Sequence, residues 1–233
     1  MGDAEALKRR AAERAAEWIR EGMTLGLGTG STVRHLLDVI AERRAGGEWG
    51  SVAGVPTSVD TERRARALGI PLATLAERPR IDLTIDGADE VDPELRLIKG
   101  LGGALLREKI VAYASARMLV IAEQSKLVNE LGAFPLPIEV VGFGLTATAL
   151  AVERAGIELG LTVAIDVRRQ GGGPFLTDSG NRILDASFGR IPDPEALASR
   201  LAEIPGIVEH GLFLGFADLA LVASADGVAE IAV

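Results

Sequence analysis

Apolar residues occur in this chain in two alternating patterns, short continuous runs and helically spaced positions. The runs Met23–Leu27, Ile81–Ile85 and Met118–Ala122 are typical of strands that are buried on both faces. Apolar residues three or four positions apart predict helices over Val33–Arg44 and Leu105–Ala116. This alternation favours an α/β fold with a doubly wound, mostly parallel, Rossmann-like sheet. The other elements predicted for this sheet are helices 4–20 and Asp60–Leu68 and strands Ser51–Val55 and Asp218–Ala223.

The pattern changes at Pro135-Leu136-Pro137. The elements predicted after it are, in order, strand Ile138–Val140, helix Thr146–Ala155, strand Thr162–Arg168, the hairpin strands Phe175–Thr177 and Arg182–Ala186, a helix with Asp193 as N-cap and Pro194 at its first position, and strand Ile207–Phe213. This order is the β-α-β-β-α-β order of a ferredoxin-like unit. We therefore predict a Rossmann-like domain (residues 1–134 plus 209–233) with an inserted, smaller ferredoxin-like α+β domain (residues 135–208).

Composition excludes several classes of function. The 233 residues include no cysteine and two histidines, which excludes disulfides, thiolate nucleophiles, cysteine-based zinc sites and a histidine-rich metal cage. A net charge of −8 argues against nucleic acid as a partner, although a local pocket can still bind a small anion. No apolar run approaches the roughly 18 residues that span a bilayer, and the N-terminal segment is amphipathic rather than a signal peptide. These features predict a cytoplasmic protein without a membrane partner.

The segment Gly26-Leu27-Gly28-Thr29-Gly30-Ser31-Thr32 joins a predicted strand to a predicted helix. Glycines allow the backbone to approach an anion, and a helix N-terminus offers unpaired N–H groups and a positive dipole end. The segment lacks the Gly-Lys-Ser/Thr ending of a P-loop and the spacing of a dinucleotide-binding loop, so a single phosphate is the better fit. The alternative is a tight turn in which Ser31 and Thr32 serve only as helix caps.

Acidic residues follow the next buried strand, in Asp86-Gly87-Ala88-Asp89-Glu90-Val91-Asp92. In open α/β sheets the ligand lies at the carboxyl ends of the strands, where Asp86 and Asp89 are expected. The alternatives are a solvated acidic turn and a magnesium site built from these carboxylates. A calcium loop does not fit, because its spacing of acidic residues is absent.

A second glycine loop, Lys99-Gly100-Leu101-Gly102-Gly103, runs into a helix that contains Glu108. Lys99 is suited to neutralise an oxyanion, and Glu108 to carry a proton if its site excludes water. The alternative for Glu108 is a surface residue paired with an arginine. Lys126 follows another strand end and is suited to reach a phosphate. Lysine is scarce here: the four lysines among 25 basic residues are Lys8, Lys99, Lys109 and Lys126.

These motifs together resemble ribose-5-phosphate isomerase, type A. The segments that carry the resemblance are Gly28–Thr32, Asp86–Glu90, Lys99–Lys109, Phe134–Val140, Gly211–Phe213 and Ala217-Asp218. They occur in the family's order and extend over essentially the whole chain.

The resemblance implies interconversion of ribose 5-phosphate and ribulose 5-phosphate in the pentose phosphate pathway, without metal or organic cofactor, by a homodimer or homotetramer. Glu108 matches the general base, which moves a proton through an enediolate. Asp86, Asp89 and Lys99 match the residues that handle the sugar hydroxyls, ring opening and oxyanion charge. The positions that match the substrate-binding residues are Thr29, Gly30, Ser31, Thr32, Asp86, Gly87, Ala88, Asp89, Lys99, Gly100, Leu101, Gly102, Lys126 and Lys8.

Three other functions are alternatives to this one. A sugar-phosphate-sensing domain of a transcription regulator predicts a DNA-binding module, for which about 20 residues before the first strand are too few. A metal-dependent phosphatase or phosphotransferase would use the cluster Asp86–Asp92 and would lose activity with a chelator. A coenzyme A transferase would use a glutamate as nucleophile, but 233 residues leave little room for the coenzyme.

Overall fold

The computed structural model of the chain describes residues 2–232. Its helices are α1 (Gly2–Ala16), α2 (Ser31–Ala45), α3 (Val59–Ala67), α4 (Leu105–Tyr113), α5 (Leu145–Glu158) and α6 (Pro194–Ala202). Its strands are β1 (Thr24–Leu27), β2 (Ala53–Pro56), β3 (Leu83–Asp86), β4 (Glu90–Val91), β5 (Leu97–Ile98), β6 (Met118–Glu123), β7 (Leu136–Val140), β8 (Ala164–Val167), β9 (Arg169–Gln170), β10 (Gly173–Pro174), β11 (Arg182–Ser187), β12 (Ile207–His210), β13 (Leu212–Phe213), β14 (Leu219–Ser224) and β15 (Gly227–Ile231). A 3₁₀ turn, Gln124–Lys126, follows β6.

The chain packs into two compact units, and the first contains the larger sheet. This unit comprises the chain up to Ala88, Arg107–Leu127 and the chain from Gly215. Its sheet has the strand order β15-β14-β6-β3-β1-β2, in which every pair is parallel except β14 with β15. The predicted doubly wound, mostly parallel sheet is therefore confirmed, including the return of the late strand, which pairs with β6.

The core of this unit explains why its strands are uniformly apolar. All residues of β1 and β3 are buried, as expected for parallel strands that are covered on both faces. Helix α1 contributes a row of fully buried alanines to the same core, Ala11, Ala12, Ala15 and Ala16. Their small side chains allow α1 to lie close to α2 and β6. Helix α1 ends at Ala16, four residues before the predicted end.

The order of the strands determines where a ligand is expected in this unit. Strand β1 has β2 on one side and β3 on the other, so the chain winds in opposite directions from β1. In open α/β sheets, ligands bind beyond the carboxyl ends of the strands at such a switch point. The segments that leave β1 and β3 there are the glycine loop at Gly28 and the acidic turn at Asp86.

The second unit comprises Asp89–Leu106 and Val128–Leu214. Its four-stranded antiparallel sheet has the order β12-β7-β11-β8, which is the 4-1-3-2 order of a β-α-β-β-α-β fold. Helices α5 and α6 bury Val152, Leu197 and Leu201 in a core with Ile138 and Leu184. The predicted ferredoxin-like unit is confirmed. So is its helix start, because the Asp193 carboxylate accepts a hydrogen bond from the Ala196 amide (2.9 Å).

Two predicted strands of this unit are wrong. Phe175–Thr177 is not a strand, because the short pairing lies earlier, between β9 and β10. The predicted strand Ile207–Phe213 is two strands, β12 and β13, separated by Gly211. A Cβ at Gly211 would lie 2.2 Å from the Lys99 carbonyl oxygen, so the chain changes sheets at a glycine. Beyond it, β13 joins β5 and β4 in a three-stranded sheet.

The units differ from the predicted domain ranges at three segments. Residues 89–106, 128–134 and 209–214 pack with the second unit, whereas the predicted boundaries assigned them to the first. Strands β4 and β5 within the first of these segments have two residues each, which is too short to show a periodicity in the sequence.

Candidate active site

The loop that follows β1 forms an uncapped helix N-terminus. Gly30 is the N-cap of α2, with φ at 112°, and it provides no side-chain cap. No N-cap side chain therefore accepts a hydrogen bond from the first amides of α2, which lie at the positive end of the helix dipole. Ser31 is exposed and Thr32 is half-buried beside it. A helix N-terminus of this kind can bind an anion, and the predicted phosphate site stays a prediction.

Asp86, the last residue of β3, is in direct contact with this loop. Its fully buried carboxylate accepts hydrogen bonds from the amides of Thr29 (3.0 Å) and Gly87 (2.7 Å) through Oδ1. Gly28 has no room for a side chain here, because a Cβ would lie 2.1 Å from the same oxygen. A glycine at position 28 thus allows the carboxylate and the loop to meet.

Helix α4 carries Glu108 to the same edge of the sheet. The helix ends beside the start of β3, where the Ile81 amide donates to the Ala114 carbonyl (3.0 Å) and the hydroxyls of Thr84 and Ser115 are 2.6 Å apart. Its first turn therefore lies toward the carboxyl end of β3. Glu108 is buried there, with 4% of its surface exposed.

The way α4 packs on β1 and β3 determines how far along these strands Glu108 lies. Val111 lies level with Gly26, since a Cβ at Gly26 would be 2.7 Å from Val111 Cγ1. Gly26 pairs with Thr84, whose side chain faces α4. Glu108 precedes Val111 by three residues, so it lies on the same helix face and about 4.5 Å closer to the N-terminus of α4. Asp86 follows Thr84 by two residues, on the same sheet face and about 6.6 Å further along. Glu108 and Asp86 therefore share one face and one edge of the sheet.

Three hydroxyl residues at this edge were missed by the sequence analysis. The Thr29 hydroxyl lies within hydrogen-bonding distance of Thr57 (2.8 Å), Ser58 (2.9 Å) and Thr61 (3.3 Å). Thr57 and Ser58 form the turn after β2, and Thr61 lies in the first turn of α3. The sequence signal was the run Pro-Thr-Ser directly after a predicted strand, at the same position in its βα unit as Gly28–Thr32.

Asp89 and Lys99 belong to the second unit. Asp89 accepts a hydrogen bond from the Leu101 amide (2.9 Å) and so holds the glycine loop that follows Lys99. The Lys99 side chain is buried, with its ammonium 5.4 Å from the centre of the Phe213 ring. Gly100 adopts a φ of 113°, a conformation that favours glycine, while Leu101 and Gly102 are exposed.

Other carboxylates of the predicted acidic segment have structural contacts. Asp92 accepts hydrogen bonds from the Glu94 and Arg96 amides, each at 2.9 Å, and from the Arg96 side chain at 2.6 Å. Glu90 accepts the amides of Gly132 and Phe134. Within residues 2–232, no group of three or more histidines, aspartates and glutamates is arranged to hold a metal ion.

The two remaining predicted ligand-binding lysines lie in the first unit. Lys8, on α1, forms an ion pair with Glu5 (2.7 Å), which also lies 3.0 Å from His35 Nε2. Two hydrogen bonds lower the pKa of Glu5. The one from Lys8 has the larger effect, and the one with His35 the smaller. Lys126 ends the 3₁₀ turn after β6, a further strand of the same parallel sheet. Gly87 and Ala88 are half-buried at the end of β3.

A family model described as ribose 5-phosphate isomerase A (phosphoriboisomerase A) matches residues 53–227 of the chain. The chain belongs to this family. The ribose-5-phosphate isomerase A of Sinorhizobium fredii is 59% identical over 225 residues, which are 97% of this chain and 96% of that protein. That of Agrobacterium fabrum is 56% identical over the same shares. The resemblance stated from the motifs is confirmed.

Solved structures of isomerases have the same fold. A D-ribose-5-phosphate isomerase in complex with phospho-erythronic acid matches with a TM-score of 0.94 and 38% identity, covering 99% of this chain and 100% of its own. The ribose 5-phosphate isomerase of Plasmodium falciparum also matches with a TM-score of 0.94, at 39% identity, covering 98% and 99%. The α/β fold class predicted from the sequence is confirmed over the full chain. No helix among residues 2–232 is both long and apolar enough to cross a membrane.

Proposed function

We propose that this protein is an aldose–ketose isomerase that interconverts D-ribose 5-phosphate and D-ribulose 5-phosphate in the pentose phosphate pathway. Family membership and two curated relatives above 55% identity support the reaction. The observation that carries the proposal is the shared edge of the sheet: a buried glutamate, a buried aspartate and an uncapped glycine loop lie at the switch point.

Glu108 is the proposed base. Its carboxylate takes the proton from C2 of the open-chain aldose, and the electrons of the C–H bond form a C1–C2 double bond, with negative charge on O1. The proton of the C2 hydroxyl passes to O1, and Glu108 returns its own proton to C1, which yields the ketose. A positioned acid–base group of this kind contributes about 10²- to 10⁴-fold to the rate. Burial removes water that would exchange with the proton in transit.

The amides and hydroxyls at Gly30, Ser31 and Thr32 are the proposed phosphate site. An anion there is stabilised by the unpaired N–H groups and the dipole of α2. Lys8 and Lys126 are the proposed cationic partners of the phosphate. Lys8 already pairs with Glu5, so its contribution depends on exchanging that carboxylate for the phosphate.

Asp86, Asp89 and Lys99 are assigned to the same reaction from the family resemblance of their segments. Asp86 is proposed to bind sugar hydroxyls while it holds the Thr29 amide. Lys99 is proposed to stabilise oxyanion charge, since a buried ammonium interacts strongly with an anion. Asp89 is proposed to act in ring opening, and Gly87, Ala88, Gly100, Leu101 and Gly102 to line the substrate.

The ligand of one relative supports this charge pattern. Phospho-erythronic acid, bound by that relative, joins a phosphate to a polyhydroxy carboxylate. An enediolate of ribose 5-phosphate carries a similar pair of negative groups at its two ends. We propose that this chain binds the same class of ligand, a small phosphorylated polyol. We also propose, as the family resemblance implies, that it requires neither metal nor organic cofactor, since Glu108 can carry the proton and Lys99 can stabilise the oxyanion.

We also propose a cellular location, an oligomeric state and a division into domains. The protein is proposed to be cytoplasmic and to form a homodimer or homotetramer, which sedimentation velocity would distinguish from a monomer. Residues 1–134 plus 209–233 are proposed as the catalytic domain and 135–208 as the inserted one.

A coupled assay tests the function directly. Purified protein should produce ketose from ribose 5-phosphate at an equal rate with and without EDTA, while unphosphorylated ribose should be a poor substrate. Binding without turnover would instead favour the sensing domain, and loss of activity with EDTA would favour the metal-dependent enzyme.

A further inference from the structure

Four hydroxyl side chains link two neighbouring βα turns of the first unit. Their hydroxyl oxygens form a spatial series in the order Thr57, Thr29, Ser58, Thr61. Successive oxygens in this series are 2.8, 2.9 and 3.0 Å apart. The last of them, Thr61, donates to the carbonyl of Gly28 at 2.8 Å. The series therefore begins after β2 and ends on the backbone of the glycine loop after β1.

The number of protons fixes the direction of this series. Each hydroxyl has one proton to donate, and the Gly28 carbonyl can only accept. Thr61 donates to Gly28, Ser58 donates to Thr61, and Thr29 donates to Ser58, which leaves Thr57 to donate to Thr29. The Thr29 proton is thus used inside the protein and is not available to a ligand.

The partners of Thr29 are held rigidly by their own turn. Thr57, Ser58 and Thr61 are all buried, with at most 5% of their surface exposed. The Thr57 amide donates to the Leu27 carbonyl (2.9 Å), and the Ser58 hydroxyl caps α3 by accepting the Thr61 amide (3.1 Å). The glycine loop, by contrast, contains Gly28 and Gly30, and glycine without a Cβ adopts many backbone conformations.

We propose that Thr57, Ser58 and Thr61 are positioning residues for the phosphate loop, an inference that rests on the proposed function. They hold Gly28 and Thr29 in place, so that the amides of α2 and the hydroxyls of Ser31 and Thr32 meet the phosphate. Thr29 then acts as an anchor of the loop and does not bind the ligand through its hydroxyl. Loosening the anchor weakens phosphate binding more than it slows proton transfer at Glu108.

The test is Thr61→Val, which keeps the shape of the side chain and removes the donor to Gly28. The KM for ribose 5-phosphate and the inhibition constant of inorganic phosphate should both rise about three- to tenfold, the effect of one lost buried hydrogen bond. The kcat should stay within about twofold of wild type, since Glu108 is untouched. Thr61→Ser, which restores the hydroxyl, should restore both constants.

Ser115→Ala is the matched control. It removes a hydroxyl pair with Thr84 (2.6 Å) in the same unit, at the opposite end of α4 from Glu108. It should lower the melting temperature while leaving the KM and the phosphate inhibition constant unchanged. A merely structural role for Thr61 would make Thr61→Val behave like this control and would overturn the proposal.

A second variant covers the case in which Thr61→Val does not fold. Thr57→Val removes the first donor of the series, away from the α3 cap, and should raise the same two constants. Wild-type phosphate affinity in Thr57→Val, measured by calorimetry with inorganic phosphate, would contradict the positioning role. This titration does not depend on turnover: if wild-type protein binds phosphate but makes no ketose, the proposed function fails while the loop proposal is still tested.

Discussion

Both units bury carboxylates, but they use them differently. In the second unit, Glu139 is 1% exposed and accepts hydrogen bonds from the Thr177 hydroxyl (2.8 Å) and the Asn181 amide group (2.9 Å). Glu90 is held in the same way by the amides of Gly132 and Phe134. Both carboxylates accept hydrogen bonds from loop residues of the second unit, so their role is structural.

At the carboxyl edge of the parallel sheet, the donors belong to the proposed binding loop itself. Asp86 accepts hydrogen bonds from the Thr29 and Gly87 amides, and Glu108 lies in the first turn of α4, which packs on the same sheet face. Burial of a carboxylate therefore does not identify a catalytic group. Position at the switch point of the sheet is the reason for proposing Asp86 and Glu108 instead, because a ligand there meets the side chains of several strand ends.

The largest effect is expected for Glu108→Gln. The substitution removes the proposed base while keeping the shape of the side chain, so turnover should fall by about 10³-fold or more. Substrate binding and the melting temperature should stay close to wild type. Coupled-assay kinetics with thermal denaturation provide both readouts, and wild-type turnover would show that the base is another residue.

Gly28→Ala should have the next largest effect. A methyl group at this position would lie 2.1 Å from Asp86 Oδ1, so the loop or the carboxylate must move. We expect a loss of stability of about 1–3 kcal/mol together with a raised KM. Urea denaturation and steady-state kinetics measure the two effects. Gly50→Ala is the control, since a Cβ there meets no atom within 4 Å.

Glu139→Gln should reverse the pattern of Glu108→Gln. It weakens the hydrogen bonds that Glu139 accepts from the buried Thr177 hydroxyl and the half-buried Asn181 amide group, which should cost about 1–3 kcal/mol in the free energy of unfolding. The kcat should be unchanged, because this glutamate fastens a loop. A fall in kcat comparable to that of Glu108→Gln would end the distinction between the two buried glutamates.

The smallest effect concerns an exposed carboxylate, Glu42. Its hydrogen bond from Arg9, which links α1 to α2, lowers the pKa of Glu42 below its ordinary value of about 4.3. A lowered folded-state pKa stabilises the protein above the ordinary value, and this stabilisation is lost as pH falls through the lowered pKa.

Glu42→Gln should therefore be slightly less stable than wild type near neutral pH and should lose less stability on acidification. Urea midpoints at about pH 7 and about pH 3 measure this. Glu48→Gln is the control, since its ion pair with Arg43 is longer, at 3.9 Å. An equal acid response of Glu42→Gln and wild type would remove Glu42 from the pH dependence.

Much of the fold could be predicted because its signals are local. The buried runs at β1, β3 and β6 are long enough to indicate strands, and Asp193-Pro194 marks a helix start by cap chemistry alone. The two-residue strands β4 and β5 carry no periodicity and were missed, and β13 was predicted as part of the same strand as β12. The change of sheet at Gly211 was also missed, because it depends on the approach of the Lys99 carbonyl, a contact between segments distant in the sequence.

The sequence by itself determined the α/β class, the glycine loop, the acidic turn and the family. Each of these depends on residues within one short segment. Tertiary structure alone decided that Asp86 holds the Thr29 amide, that Glu108 lies at the same face and edge of the sheet as Asp86, and that the Thr29 hydroxyl contacts Thr57, Ser58 and Thr61. These facts depend on the order of strands in the sheet, which brings together turns that lie about 30 to 60 residues apart.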